Sequence, residues 1–147
     1  MAMRYHYKLF GPILLLFFFL FTLHAHAQKS EESPSQPETK RLTLAEAAMC
    51  EAIKEYTPQN QGIVFSTSIG KILCFTLFDP VPQKTVVYHN WYRSDGLITK
   101  VKLTLKPPRW STFSSIQLRE ADKGPWRVEI TDQEGSLHEI LRFSITD

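Results

Sequence analysis

Cysteine and histidine are scarce in this 147-residue chain, and each scarcity removes a class of chemistry. With only Cys50 and Cys74 present, neither a paired-cysteine zinc site nor a disulfide-dense scaffold can be built. Of the five histidines, only His89 and His138 lie beyond residue 27, and they lack a ligand-like spacing. HExxH, GxSxG and a glycine-rich phosphate loop are all missing. No metal, no cofactor and no enzyme activity are therefore expected. A surplus of one charge is lacking too. Arg4 and Lys8 precede every acidic residue, so seventeen basic side chains less these two leave fifteen against fifteen acidic ones. A balanced domain offers no basic footprint for phosphates, which excludes nucleic acid as the expected partner.

Long apolar runs are also rare; the single one, Ile13 to Leu23, sits near the start of the chain. Basic Arg4 and Lys8 precede it, and Ala25-His26-Ala27 follows with small residues where a signal peptidase reads. Residues 1–27 are expected to be a signal peptide cleaved before Gln28, giving an exported, periplasmic protein with no membrane span. An uncleaved anchor is the rival, but a span needs about 20 apolar residues and would have to recruit Leu9 to Ala27. Residues 28–40 (QKSEESPSQPETK) contain no aliphatic or aromatic side chain and read as a solvated, disordered linker. One domain is left, residues 41–147. An exported chain with an even cysteine count is expected to pair Cys50 with Cys74, a loop closure worth about 3 kcal/mol in the chain-entropy model.

From Gly62 onward the pattern belongs to strands: KILCFTLF, TVVYHNWY, LITKVKLTL, STFSSIQL, WRVEIT and LHEILRFSIT, separated by turn residues. Short strands at this spacing predict an all-β, antiparallel, immunoglobulin-like β-sandwich. LTLAEAAMCEAIKEY is the exception. Thr43 followed by Glu46 fits a capping box and the alanines favour helix, so local signals alone place a helix here.

CFTLFDP, YHNWYRSDG, PPRWSTFSSIQL, KGPWRVEITDQEG and the closing RFSITD resemble the bacterial domain-of-unknown-function family 2914, over about residues 44 to 146. The resemblance implies an exported or membrane-tethered all-β domain with no assigned activity. It also implies a strand, not a helix, at about 47 to 56.

The stretch YHNWYRSDG decides what faces outward. Val87, His89 and Trp91 share one side of a strand, while Tyr88, Asn90 and Tyr92 share the other. Leu97, Val101, Leu103 and Leu105 mark the core side of the next strand. A three-residue loop, Ser94-Asp95-Gly96, would set Trp91 opposite Thr99, His89 opposite Val101 and Val87 opposite Leu103. A two- or four-residue loop would reverse the faces. The expected core is Leu73, Phe75, Val87, His89, Trp91, Val101, Leu103, Trp126, Val128, Ile130, Leu141 and Phe143. A four-residue loop from Asp132 to Gly135 would add Leu137 to that side. The expected binding surface is Tyr88, Asn90, Tyr92, Arg93, Lys100, Lys102, Arg109 and Trp110.

Ser114 and Ser115 would be nucleophiles only with His89 beside them, and a turn or strand-end role is expected instead. Glu129 and Glu139 fall on neighbouring strands and read as surface acids, not a paired-carboxylate site. The functional expectation is a non-catalytic protein-interaction or accessory module of the cell envelope. A glycan-binding module stacking sugars on exposed rings is the alternative, and a hydrolase the distant one.

Overall fold

The computed structural model describes residues 41–147. The expected signal peptide and linker, residues 1–40, lie outside the described residues. Nine strands form two packed sheets: β1 (Leu44–Lys54), β2 (Thr57–Gln61), β3 (Val64–Ser66), β4 (Lys71–Phe78), β5 (Thr85–Arg93), β6 (Gly96–Leu105), β7 (Trp110–Gln117), β8 (Gly124–Asp132) and β9 (Leu137–Thr146). One sheet has the order β2-β1-β4-β7 and the other β3-β9-β8-β5-β6. All pairings are antiparallel except that of β3 with β9. The result is the expected all-β sandwich, and β9-β8-β5-β6 facing β1-β4-β7 follows the strand order of immunoglobulin-like domains.

β4 shows why the sheets stack. Its inward side chains Ile72, Cys74 and Phe78 join the main core, where Trp91, Val87, Leu105, Val128 and Ile130 arrive from the opposite sheet. Phe143 organises the aromatic part of that core. It meets Trp91 edge-on at 6.2 Å and stacks on Trp126 at 6.3 Å. Such ring pairs add about 0.5–1.5 kcal/mol beyond the area they bury.

The outward side chains of β4 are buried as well. Leu73 and Phe75 form a second cluster with Cys50, against which Ile53 and Leu77 pack. Tyr56 and Thr57, at the tip of the β1–β2 hairpin, line one hollow together with Leu77, Arg109 and Ser111. The hairpin thus folds back over the outer face of its own sheet, which is why β4 is apolar on both parities. Glu55 and Tyr56 turn this hairpin with left-handed φ values of 49° and 61°.

Three sequence expectations change here. The helix signals at Thr43 and Glu46 lose to sheet pairing, because β1 pairs with both β2 and β4; propensity is weak against tertiary context. The expected disulfide does not form, and Cys50 and Cys74 are both buried free thiols. Register explains this: Cys50 lies opposite Leu73 and Cys74 opposite Met49. Adjacent positions on a strand point to opposite faces, so the two sulfurs sit on either side of the sheet.

The third change concerns the β5–β6 turn. Arg93 pairs with Gly96, leaving a two-residue turn of Ser94 and Asp95 with Ser94 left-handed at φ 51°. The expected partners of Val87, His89 and Trp91 hold nonetheless, because a bulge on β6 adds Ile98 between the pairs Trp91–Thr99 and Tyr92–Leu97. That bulge turns Leu97 and Ile98 outward, both more than half exposed. Leu97 is therefore not a core residue. Leu137 also leaves the core side, because a register shift next to Thr131 leaves it exposed. The other expected core residues are buried or packed against the core, with Leu73 and Phe75 in the second cluster.

Candidate functional site

Two places in the sandwich carry polar groups of interest, one sealed and one open. The sealed one centres on His89, which is fully buried on β5. Its Nε2 lies 3.2 Å from Thr76 Oγ1 on β4, and its Nδ1 lies 2.8 Å from Ser114 Oγ on β7. Trp91 Nε1 donates to the same Ser114 oxygen at 2.9 Å. An indole N–H can only donate, so Ser114 accepts from Trp91, and its hydroxyl can still either donate to Nδ1 of His89 or accept from it. Either tautomer of a neutral His89 satisfies both contacts, one ring nitrogen donating and the other accepting. Burial pushes its pKa down from 6.5 to about 4, since a charged ring would lose its hydration without gaining a counter-ion. The group bridges the two sheets, because His89 and Trp91 belong to one and Thr76 and Ser114 to the other.

A serine beside a histidine invites a nucleophilic reading, and here the contact with Ser114 is real. Ser115, its neighbour, points to the other side and is exposed. The Ser114–His89 pair lies inside the core, with Thr76 and His89 at 0% exposure and Ser114 at 5%, so its oxygen faces no cleft. Glu129 and Glu139 do not converge either. Glu129 pairs with Ile140 and Glu139 with Ile130, which puts the two carboxylates on opposite faces. Among the described residues, no group of three or more His, Cys, Asp or Glu side chains is placed to hold a metal ion. Burial favours the protonated form of both thiols, raising Cys50 to about 11 and Cys74 higher still. No helix among the described residues is long and apolar enough to cross a membrane.

The open place is the outer face and free edge of the five-stranded sheet. Here the expected binding residues divide. Tyr88 lies outward beneath Lys100, whose Nζ is 4.1 Å from the ring centroid. Tyr92 lies beneath the Arg127 guanidinium at 4.2 Å. Arg127 is held in turn by Glu129 at 2.8 Å and Asp95 at 3.7 Å. Asn90 is not available to a ligand: it is 7% exposed, and its amide donates to Glu129 O and Thr131 Oγ1. Arg93 reaches Asp122 at 4.0 Å. Lys100 and Lys102 are exposed on β6.

Arg109 and Trp110 do not join this face. They sit at the start of β7 in the other sheet, where Arg109 faces Asp79 at 3.6 Å and Trp110 packs against the core beneath Lys106. The structure therefore provides no shared ring platform of Tyr88, Tyr92 and Trp110. What it adds is the pair of exposed apolar residues Leu97 and Ile98 at one end of β6. No sequence signal marks them, since the bulge at Ile98 has no left-handed glycine to reveal it. Thr76, also missed, was detectable: it is the lone polar residue at an inward position of KILCFTLF.

With the geometry in view, comparison with known proteins adds one match. No curated protein matches the chain. A family model described as a protein of unknown function, DUF2914, matches residues 84–145, which run from the start of β5 nearly to the end of β9 and hold His89, Trp91, Ser114 and the β6 edge. Over that stretch the chain is similar to the DUF2914 family.

Proposed function

We propose that this protein is an exported, non-catalytic module of the cell envelope that binds another protein through the free edge of β6. The observation that carries the proposal is the edge itself. β6 ends the five-stranded sheet, is ten residues long, and among the described residues pairs with β5 alone. About half of its backbone N–H and C=O groups point away from β5, with no strand among the described residues to receive them. A long unpaired edge is a template for strand addition, and proteins that do not use one tend to shorten or cover it. Leu97 and Ile98, both more than half exposed, place apolar surface at the same edge. Export is supported by the basic, apolar and small-residue pattern of residues 1–27.

The alternatives have less support. Glycan binding needs open ring faces, whereas Tyr88 and Tyr92 each have a cation over the ring. A hydrolase would need the Ser114–His89 pair to meet solvent. The test is photo-crosslinking in the cells that make the protein, with a light-activated residue replacing Leu97 on β6 or Glu134 in the distant β8–β9 turn. A discrete adduct from Leu97 and none from Glu134 is the expected result. A folded protein that forms no adduct at Leu97 would count against the edge as the binding element.

A further inference from the structure

We infer that the occupant of the β6 edge is an extended protein segment with acidic side chains at alternate positions, an inference that rests on the interaction reading above. Side chains along β6 alternate strictly after the bulge. Lys100, Lys102 and Thr104 are exposed on the outer face, while Thr99, Val101 and Leu103 are half-buried toward the core. A strand laid along β6 would extend both surfaces at once. Its residues beside Val101 and Leu103 would need to be apolar to continue the core, and those beside Lys100 and Lys102 would meet two ammonium groups.

Those two charges are unanswered among the described residues. Arg93, Arg109, Lys123 and Arg127 each have a carboxylate within 4.0 Å. Lys100 and Lys102 have none among the described residues; Lys100 lies over the Tyr88 ring instead. The pattern that satisfies this edge is therefore acid–apolar–acid, repeated over part of the ten residues of β6, a length of about 30 Å at strand spacing.

The same lysines argue against a second copy of this chain. Centred antiparallel pairing of β6 with itself would set Lys100 opposite Lys102 twice, and like charges directly opposed are destabilising. Lysine on an edge is a recognised block to self-association; here the block also discriminates by sign. β7 is the end strand of the other sheet, and its sequence WSTFSSIQ has no charge with which to make such a choice.

Two synthetic ten-residue peptides test the inference with the whole protein. Both alternate valine with a charged residue, glutamate in one and lysine in the other. Binding is read by fluorescence anisotropy and by slowed amide hydrogen exchange in β6. The glutamate peptide should bind about tenfold more tightly than the lysine peptide, the size expected of two exposed charge pairs. The advantage should shrink in high salt, and the Lys100→Glu, Lys102→Glu double variant should reverse the preference. Equal binding of both peptides would overturn the acidic specificity while leaving edge binding intact. No slowing of exchange in β6 by either peptide would overturn the edge reading itself. A dimer formed through β6 would overturn the inference in favour of a second copy.

Discussion

Acidifying the protein from pH 8 to pH 5 should weaken it through one buried ring. His89 has no exposed surface, and burial lowers its pKa from 6.5 to about 4. Below pH 6.5 the unfolded chain takes up a proton that the folded state refuses, so stability falls with pH. The stabilisation is fully present above about 6.5 and is lost progressively between 6.5 and about 4. At about 1.4 kcal/mol per unit of pKa, the full loss is about 3 kcal/mol, with about 2 kcal/mol of it gone by pH 5. Urea unfolding followed by tryptophan fluorescence reports this, since Trp91 and Trp126 are both buried. The His89→Gln variant keeps a side chain that can donate and accept but cannot titrate. It should be weaker at pH 8, by about 1–3 kcal/mol, yet lose about 2 kcal/mol less than the parent between pH 8 and pH 5. Identical pH slopes for the two proteins would refute the assignment. Should the variant not fold, the His89 ring resonance of the parent gives the same answer: a midpoint near 6.5 would be fatal.

Replacing Ser114 with alanine removes the acceptor of Trp91 Nε1 and the partner of His89 Nδ1 together; the urea midpoint should drop by an equivalent of about 2–4 kcal/mol. Both cysteines should resist a thiol reagent in the native protein and react once it is unfolded, and reductant should leave the melting temperature unchanged, because Cys50 and Cys74 are buried thiols on opposite sheet faces. Tyr56→Gly should raise stability by about 0.5–1 kcal/mol, since the residue is 82% exposed and left-handed at φ 61°, a conformation in which glycine avoids the Cβ clash. A thermal scan in which Tyr56→Gly melts lower would show that the ring, and not the backbone, governs that turn.

Much of the sandwich was legible because alternation survives noise. Val87, His89 and Trp91 share a parity, as do Val101, Leu103 and Leu105, and matching the two apolar sides pairs the strands correctly whatever the turn does. The turn itself was not legible. A two-residue loop plus one bulged residue gives the same pairing as a three-residue loop, so the pattern of faces cannot distinguish them. The cost of that ambiguity fell on Leu97, whose parity suggested core and whose bulge turns it to solvent. The cysteine pairing failed for a different reason. Compartment and even count speak to whether disulfides are permitted, whereas only register says whether two sulfurs share a face. The partner of His89 was half visible: an inward threonine in a run of apolar residues signals a buried polar contact, but nothing in the chain says that Ser114 lies across from it.

Trp91 sits on β5 and Cys74 on β4, the places where an antibody-type sandwich keeps its tryptophan and one half of its inter-sheet disulfide, yet β8 holds no cysteine to complete the bond. Hydrogen bonds between His89 and both Thr76 and Ser114 link the two layers instead. A covalent pin must be made by an oxidant and reshuffled if made wrongly, whereas this one assembles as the layers close and responds to protons. The fold can thus form at any redox potential, and its weak point is acid.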